Sequence, residues 1–442
     1  MKVLAVGGGA REHAIVSGLA RSGADIFVAM KNRNPGIARI AKDTFYVDEM
    51  DVAKVVEYAK EKSVELAVVG PEAPLEVGLA DGLESAGIPT ASPCKDAARI
   101  ETSKIFMRNL MREHGLKGSV RFVEAHTIDE VESGLDELGN EVVVKPTGLT
   151  GGKGVKVFGE HMMTKEDILR YSEEIISNRI GGSKIVLEEK LVGEEFTLQA
   201  FCDGTRILPM PAVQDHKRAY EGDKGPNTGG MGSYSQSDGL LPFLTRGDYD
   251  QAVSIIEQTV GALKKEGAPY KGTLYGQFML TKDGPKVIEF NARFGDPEAM
   301  NVLTLLRGDF VKICQGMADG NLANGLNQFH RKASVCKYVV PAGYGSKPLA
   351  GEEIKVDEKG ISDEGAVLYY SSVNEKDGKV YTTTSRSVGI VGVSDEIYEA
   401  ERIAENAIKH VSGNVFVRHD IGKRTMLEAK VVRMNDIRGC SK

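Results

Sequence analysis

The segment 286–298, KVIEFNARFGDPE, holds residues whose types and spacing suit chemistry on charged oxygens. Glu289 and Asn291 are two apart in a β-like run, so both side chains point to one face of a strand. A carboxylate and an amide oxygen there suit Mg²⁺, which takes one or two protein ligands and adds water and substrate phosphates. Arg293 and Asp296 follow, within reach of the carboxylate and amine of a small zwitterion. The alternative is a structural salt-bridge cluster.

Two lysines accompany a glycine-rich run at 148–154. Lys145 ends the apolar run before it, and Lys153 lies within it. Glycine lets the backbone fold over phosphate oxygens because no Cβ is in the way, and two lysines can neutralise a nucleotide's phosphates. The run is not a P-loop, because Gly154 rather than Ser or Thr follows Lys153. It predicts a phosphate site; a mobile surface hairpin with solvated lysines is the alternative.

An acidic segment follows about thirty-five residues later, at 186–195. A strand and a short crossing segment there would present backbone N–H and C=O groups, which can read the edge of an adenine. Glu195 could accept from ribose hydroxyls. Taken alone, such an acidic run is more often a solvated face.

The N-terminal glycines form an incomplete dinucleotide fingerprint. Gly7 and Gly9 supply its first two glycines, but Glu12 stands where the third belongs, and Ala29-Met30-Lys31 offers no acid to a ribose. We therefore do not expect NAD. The loop can still bind an anion at a helix N-terminus, with Arg11 adding a bidentate contact. A tight turn with Arg11 solvated and Glu12 capping the helix is an equal alternative.

The elements that must position these residues begin with an α/β pattern. Residues 2–90 alternate short apolar runs with helical stretches, which is typical of a parallel sheet covered on both faces. Open sheets of this kind bind ligands at the carboxyl ends of their strands, where Glu72 follows the strand-like run 66–69. A strand-terminating turn is the competing interpretation.

The rest of the chain follows an α+β rhythm. Helical patterns are predicted at 97–114, 165–178, 297–319 and 395–410, and strands at 141–144, 184–189, within 196–291, and at 334–340, 366–372, 379–383 and 388–393. Asp283-Gly284 between two strand-like runs predicts a hairpin. The stretch 320–330 reads as a linker, so a third α+β unit is expected beyond it.

Composition limits the class of protein. Hydrophobic residues make up 41%, and the net charge of −7 does not suit a nucleic-acid backbone. The five dispersed cysteines favour a reducing compartment over a disulfide framework. We also find no leader pattern and no uninterrupted run of 18 apolar residues. The expectation is a cytoplasmic protein without a membrane partner.

In this order and spacing the motifs resemble the ATP-grasp fold, and the whole chain resembles the glycinamide ribonucleotide synthetase family. The stretches that carry the resemblance are GGGAREHA at 7–14, VGPEAPL at 69–75, SKIFM at 103–107, GLTGGKGV at 148–155, LPMPAVQDHKRAYEGDKGPNTGGMGSYS at 208–235 and KVIEFNARFGDPE at 286–298. The segment beginning QDHKRAYEGDKGPN is the most distinctive of them.

The resemblance implies a multidomain α/β and α+β architecture. It comprises an N-terminal doubly wound parallel-sheet domain at 1–102, an ATP-grasp domain at 103–320 with a mobile glycine-loop lobe at about 120–191, and a C-terminal α+β domain at 328–442. The implied activity joins glycine to 5-phosphoribosylamine in de novo purine biosynthesis. ATP is the co-substrate, Mg²⁺ or Mn²⁺ the cofactor, and glycinamide ribonucleotide, ADP and phosphate the products, formed through glycyl phosphate. The partners are these small molecules, with no nucleic acid, and we expect a monomer.

The resemblance also implies a role for each matching residue. The ATP phosphates would be bound by Lys104, Lys145 and Lys153. The adenine hinge would be formed by Glu188, Glu189, Lys190 and Leu191. Glu195 would bind the ribose, and Glu289 and Asn291 would bind the metal. Arg293 and Asp296 would bind glycine or its acyl phosphate, and with Lys145 they form the catalytic set. Phosphoribosylamine would be bound by Gly9, Arg11 and Glu72. Further substrate contacts would be made by Asp215, Lys217 and Asn227.

One departure and two alternatives remain open. Gln277 lies 12 residues before Glu289, where many ATP-grasp enzymes carry a third metal carboxylate, so the metal count is undetermined. The chain could instead be an ATP-grasp ligase or carboxylase acting on bicarbonate or another amino acid. It could also be a nucleotide sensor that performs no chemistry.

Overall fold

A computed structural model describes residues 1–148 and 154–439 of the chain. Lys153, most of the predicted glycine loop and Cys440 lie outside the described residues. Within the described part, no helix is long and apolar enough to cross a membrane. The same part contains four free cysteines: Cys94, Cys202, Cys314 and Cys336.

The first ninety residues form the predicted doubly wound domain. Its elements are β1 (Lys2–Val6), α1 (Ala10–Arg21), β2 (Asp25–Met30), α2 (Pro35–Ile40), β3 (Asp43–Tyr46), α3 (Val52–Glu61), β4 (Leu66–Val69), α4 (Glu72–Glu76) and α5 (Leu79–Ser85). The four strands are parallel, in the order β3-β2-β1-β4. Alternate residues of β1 enter two different cores, Val3 one and Leu4 the other, so both faces of the sheet are covered.

A small lobe follows, and its sheet has the antiparallel order β5-β8-β6-β7. The elements are α6 (Lys95–Thr102), α7 (Lys104–Glu113), β5 (Phe122–Ala125), α8 (Ile128–Leu138), β6 (Val142–Pro146), β7 (Lys156–Val157), α9 (Lys165–Asn178) and β8 (Ile185–Glu189). The single helix predicted over 97–114 is wrong. Ser103 has extended backbone angles, and its hydroxyl caps α7 by accepting from the Phe106 N–H.

The central region is built on a second antiparallel sheet, β10-β9-β15-β16. Its elements are β9 (Glu194–Asp203), β10 (Ile207–Pro209), β11 (Gln214–Asp215), β12 (Arg218–Tyr220), β13 (Lys224–Asn227), β14 (Gly232–Ser235), α10 (Arg246–Lys265), β15 (Lys271–Thr281), β16 (Gly284–Asn291), α11 (Glu298–Leu305) and α12 (Phe310–Asp319). The β15–β16 hairpin confirms the Asp283-Gly284 prediction, with Gly284 at φ +97°. The 20-residue helix α10 had not been predicted.

The last region is α+β, as expected. Its elements are β17 (Ala333–Pro341), β18 (Glu353–Val356), α13 (Glu358–Asp363), β19 (Val367–Tyr370), β20 (Val373–Lys376), β21 (Lys379–Thr382), β22 (Val388–Ser394), α14 (Ile397–Ile408), β23 (Val411–Gly413), β24 (Val415–Phe416) and α15 (Arg424–Ile437). One sheet, β11-β14-β17-β22-β19, crosses the predicted linker and joins the central and last regions. Leu322, within that linker, is fully buried.

Candidate active site

A cleft of about 870 Å³ lies between the small lobe and the central sheet. Most of the predicted site residues line it: Glu72, Lys104, Lys145, Glu188, Glu189, Lys190, Leu191, Glu195, Asp215, Lys217, Asn227, Glu289, Asn291, Arg293 and Asp296. Gly9 and Arg11 are not among the lining residues, and Lys153 lies outside the described part. The structure therefore brings together side chains from segments more than two hundred residues apart.

Strand β16 presents Glu289 and Asn291 to the cleft. They lie across the ladder from Gln277 and Tyr275 of β15. Burial alone would raise the pKa of Glu289, but Lys217 and the two lysines at 145 and 104 outweigh it and lower that pKa. The site thus offers an ionised carboxylate beside an amide oxygen, which fits a hard divalent cation that also takes phosphate oxygens and water. No cluster of three or more His, Cys, Asp or Glu residues suited to a metal occurs in residues 1–148 and 154–439.

Lys145 is oriented by the buried carboxylate of Glu188. Its Nζ donates to Glu188 Oε2 at 2.6 Å, while Arg108 donates to both oxygens at 2.7 and 2.8 Å. Burial would raise the pKa of Glu188, but the two cations overcome it and lower that pKa to about 2. The Glu188 side chain is therefore engaged in holding Lys145, and its backbone lies in the sheet between β5 and β6.

Lys104 opens helix α7 at the same side of the cleft. Its Nζ donates to the carbonyl oxygen of Gly148 at 2.9 Å, at the edge of the glycine-rich run. Burial lowers the pKa of Lys104. Because a helix N-terminus favours negative charge, a lysine there adds to an existing anion site.

The predicted hinge spans the end of β8 and the residues after it, and the predicted ribose carboxylate lies at the start of β9. The Glu189 carboxylate accepts from Arg121, and the Lys190 N–H donates to the Glu141 carbonyl at 2.9 Å. Glu195 Oε2 accepts from Gln277 Nε2 at 2.8 Å and from Lys217 Nζ at 3.3 Å. The Glu195 side chain is 42% exposed, so a polar ligand can reach it.

Asp215 and Glu298 form an acidic pair deep in the cleft. Oδ1 of Asp215 is buried and has no hydrogen-bond partner among the described residues. Glu298 Oε1 accepts from the Tyr275 hydroxyl at 2.9 Å. Burial and the charge of Asp215 raise the pKa of Glu298 to about 7, and burial also raises the pKa of Asp215. A bound cation would offset the repulsion between these two carboxyl groups.

Asp296 is already partnered by the last region of the chain. Arg386 Nη2 lies 2.9 Å from Asp296 Oδ2, and the Tyr338 hydroxyl donates to Oδ1. The Arg386 guanidinium also donates to the carbonyls of Gly229 and Gly230. Asp296 thus holds the last region against the cleft wall, in addition to lining it.

Arg293 and Glu72 lie where the N-terminal domain meets the cleft. Arg293 Nε is 3.3 Å from Glu72 Oε2, and Nη2 is 3.1 Å from Glu101 Oε1. Burial would raise the pKa of Glu72, but Arg293 and Arg11 lower it to about 2. The buried Glu101 has its pKa raised to about 7.

The first glycine loop is packed behind this corner. Arg11 is 8% exposed and pairs with Glu12 at 2.5 Å, so the alternative in which Arg11 is solvated is wrong. Glu12 does cap the helix, because its Oε2 accepts from the Gly9 N–H at 2.8 Å. The Glu12 carboxylate therefore accepts from the Gly9 N–H, a backbone donor that an anion bound at this helix N-terminus would otherwise use.

Several residues at or beside the cleft were not assigned from the sequence. Arg108 lies one helical turn after Lys104, but its partner Glu188 is 80 residues away. The contact of Arg386 with Asp296 spans 90 residues. Glu298 closes the motif at 286–298 and could have been found, since it begins the largely apolar helix α11 and is buried there.

Three family models match the chain. They are the N domain of phosphoribosylglycinamide synthetase over residues 1–101, its ATP-grasp (A) domain over 102–299 and its C domain over 334–424. A phosphoribosylamine–glycine ligase from Methanothermobacter thermautotrophicus is 54% identical over 439 residues, covering 99% of this chain and 100% of that one. One from Methanocaldococcus jannaschii is 51% identical over 443 residues, with coverages of 99% and 100%.

Solved structures agree with these matches. The crystal structure of a phosphoribosylamine–glycine ligase from Thermotoga maritima has a TM-score of 0.81 at 27% identity, covering 95% of this chain and 100% of that one. A biotin carboxylase domain from Hydrogenobacter thermophilus, in complex with MgADP, has a TM-score of 0.73 at 16% identity, with coverages of 100% and 95%, and shares the fold alone. From the matched models and the identity along its whole length, the chain belongs to the phosphoribosylglycinamide synthetase family.

Proposed function

We propose that this protein is an ATP-dependent ligase that joins glycine to 5-phosphoribosylamine. The product is glycinamide ribonucleotide, an intermediate of purine biosynthesis. The observation that carries the proposal is the cleft, in which Lys104, Lys145 and Lys217 surround the ionised Glu289 beside Asn291. Relatives about half identical over the whole chain bear the name of this ligase. Such a concentration of lysines around hard oxygen donors suits a nucleoside triphosphate with a divalent metal.

Mg²⁺ or Mn²⁺ would be held by Glu289 and Asn291. When bound, the metal offsets the charge that develops on a transferring phosphoryl group. Lys145 and Lys104 contribute positive charge from the opposite wall, and Glu188 fixes the direction of Lys145. Lys153, which lies outside the described residues, is also assigned to the ATP phosphates.

The reaction needs positioning more than acid–base chemistry. A carboxylate is a poor acyl donor, so an oxygen of glycine first attacks the γ-phosphorus of ATP, which gives glycyl phosphate and ADP. The amine nitrogen of phosphoribosylamine then attacks the carbonyl carbon. A C–N bond forms, phosphate leaves with the C–O bond electrons, and the nitrogen loses a proton. The chain's contribution is to orient the reactants and to stabilise charge.

We assign the ammonium group of glycine to Asp215 and Glu298. Both acids line the cleft, one oxygen of Asp215 is buried without a partner, and a cation would relieve their mutual repulsion. Arg293, whose charge interacts with Glu298, is assigned to a carboxylate or phosphate. Asp296 lines the cleft wall, but its carboxylate forms an ion pair with Arg386. Lys217 and Asn227 complete the cleft beside Asp215.

The other substrate is assigned to the edge of the N-terminal domain. Glu72 of that domain lines the cleft, just after the carboxyl end of β4. Gly9 and Arg11 support this corner from behind through Glu12 and Glu72. We further assign the protein to the cytoplasm as a monomer, in line with cysteines that are free among the described residues.

An ADP-release assay tests the proposal. Purified protein with ATP and Mg²⁺ should release ADP only when glycine and phosphoribosylamine are both present, and glycinamide ribonucleotide should accumulate in equal amount. Glu289→Gln should lower the rate at least about 100-fold, because a carboxylate facing the phosphates is lost. The same change at the exposed Glu257 is the matched control and should leave the rate unaltered.

The rival functions give different results in that assay. Bicarbonate or another amino acid replacing glycine would identify a different ATP-grasp ligase or a carboxylase. Tight nucleotide binding without ADP release under any substrate combination would identify a sensor.

A further inference from the structure

Helix α15 brings two cations to the wall of the cleft. Lys430 Nζ donates to Glu194 Oε2 at 3.1 Å, and Arg433 Nη1 donates to Glu194 Oε1 at 3.0 Å. All three side chains line the cleft. The matched C-domain model ends at residue 424, where α15 begins, so Lys430 and Arg433 lie beyond the three matched domain models.

The docking of α15 does not depend on these two cations. Leu427 and Met434 are buried in the same core as Phe196 and Leu198 of β9. Farther along, Arg438 forms a two-pronged ion pair with Asp248 of α10, at 2.7 and 3.1 Å. Lys430 and Arg433 are thus not the sole contacts of α15; they share Glu194 as a partner, and Lys430 also lies 4.0 Å from Asp223.

Glu194 is placed to control its neighbour Glu195. Adjacent residues of a strand point to opposite faces, so Glu194 turns toward α15 while Glu195 turns toward Lys217 and Gln277. The backbone just before them is in close contact with β15: a Cβ added at Gly193 would lie 1.9 Å from the Leu280 carbonyl oxygen. Glu194 and Glu195 share one peptide, so the position of the Glu194 carboxylate bears directly on that of Glu195.

Lys430 lies beside His216 in this part of the cleft wall. His216 lines this part of the cleft, and neither of its ring nitrogens has a hydrogen-bond partner within the described part of the chain. Burial, followed by the charge of Lys430, lowers the pKa of His216 to about 3. The imidazole is thus neutral near pH 7, and Glu194, with 4% of its side chain exposed, depends on α15 for its counter-charges.

We propose that Lys430 and Arg433 are positioning residues for the ribose of the nucleotide. By binding both oxygens of Glu194, they hold Glu195 where its carboxylate accepts from ribose hydroxyls. The inference rests on the proposed function, which assigns Glu195 to the ribose. It extends the nucleotide site to helix α15.

The test compares the binding of ADP with that of 2′-deoxy-ADP and 3′-deoxy-ADP, by calorimetry with Mg²⁺ and the full chain. The wild type should prefer ADP to the weaker deoxy analogue by about tenfold, the effect of one charge-assisted hydrogen bond. Lys430→Met should reduce this preference to about twofold, and Lys430→Arg should restore it. Arg438→Met removes an ion pair of the same helix away from the cleft, so it should lower the denaturation midpoint and keep the preference.

Three results would overturn the inference. One is a full ribose preference in Lys430→Met, and another is an equal loss in Arg438→Met, which would make helix docking responsible. A wild type without any preference would remove the ribose assignment of Glu195 as well, although glycine-dependent ADP release would still stand. If Lys430→Met does not fold, Arg433→Met decides, since that side chain is 58% exposed; an unchanged preference there sinks the proposal.

Discussion

The acidic pair Asp215–Glu298 is the least compensated charge in the cleft. Tyr275 donates to Glu298, and Lys217 lies 3.9 Å from Asp215, yet burial keeps the pKa of both carboxyls raised. A ligand with a positive charge would be attracted there once the pair is ionised. Protonation of Glu298 therefore competes directly with binding of an ammonium group.

The pH dependence of glycine binding follows. With a pKa of about 7, Glu298 is mostly protonated at pH 6 and mostly ionised at pH 8, so KM for glycine should fall about fivefold or more across this range. The charged or titratable groups that face it are Asp215, Lys217, Tyr275, Arg293 and Arg386. Initial rates at saturating ATP measure the profile. Glu298→Gln should flatten it; a variant that retains the wild-type profile would refute the assignment.

The sequence predicted those site residues whose signal is local. The shared orientation of Glu289 and Asn291 follows from the period of two on a strand. The hinge residues follow from their place at and just after the end of β8. The partners of Lys145 and Asp296 could not be predicted, because Arg108 and Arg386 become neighbours of the cleft only through packing over 80 and 90 residues. The side chain of Glu188 therefore has a task that its segment alone did not reveal.

Among the secondary-structure elements, the break between α6 and α7 matters most for the cleft. A continuous helix was predicted because Ala97 to His114 has a helical pattern throughout. Ser103 instead adopts φ −134° and ends α6, and its hydroxyl starts α7. The new helix begins at Lys104, so the break turns a mid-helix lysine into one at a helix N-terminus that faces the cleft.

Ser103→Ala tests this helix start. Loss of the cap should lower the free energy of unfolding by about 1 kcal/mol and loosen the first turn of α7. KM for ATP should rise, because Lys104 is in that turn. Urea denaturation and initial-rate kinetics measure the two effects, with Ser133→Ala on the exposed side of α8 as the control. A rise in KM without any loss of stability would contradict the capping argument.

Helix α10 and the broken α4–α5 pair were missed for opposite reasons. The central region was read as strands only, although Arg246–Lys265 has a capping box at Thr245 and buried residues along one face. In the N-terminal domain helical stretches were expected between the strand-like runs, but Gly78 adopts φ +87° and divides the last of them into two short helices. Local glycine conformation is not readable from hydrophobic period alone.

At the scale of the whole molecule, the N-terminal domain and the last region of the chain meet at Asn34. Its fully buried amide nitrogen donates to the carbonyls of Gly8, Tyr370 and Ser371, while its oxygen caps α2 through Ile37. One side chain thus ties the first glycine loop to β19. The parallel order of the N-terminal sheet was predictable, but this contact across more than 330 residues was not.

Asn34→Ala should weaken this junction. Three buried carbonyls would lose a donor, so the free energy of unfolding should fall by about 1–3 kcal/mol. Urea denaturation measures the loss, and limited proteolysis should detect the N-terminal domain opening first. The exposed Asn140 provides the control substitution and should leave the midpoint unchanged. Equal midpoints for Asn34→Ala and the wild type would mean that other contacts hold the two ends together.

The ion pair between Glu194 and Lys430 also affects how the chain can fold while it is being synthesised. Its partners are 236 residues apart. A ribosome adds about 5–20 residues per second, so the carboxylate leaves the exit tunnel roughly 10–50 s before its counter-ion exists. During that interval the start of β9 cannot be buried as it is in the finished protein without an uncompensated charge. The growing chain therefore keeps this side of the pocket open until α15 has been made.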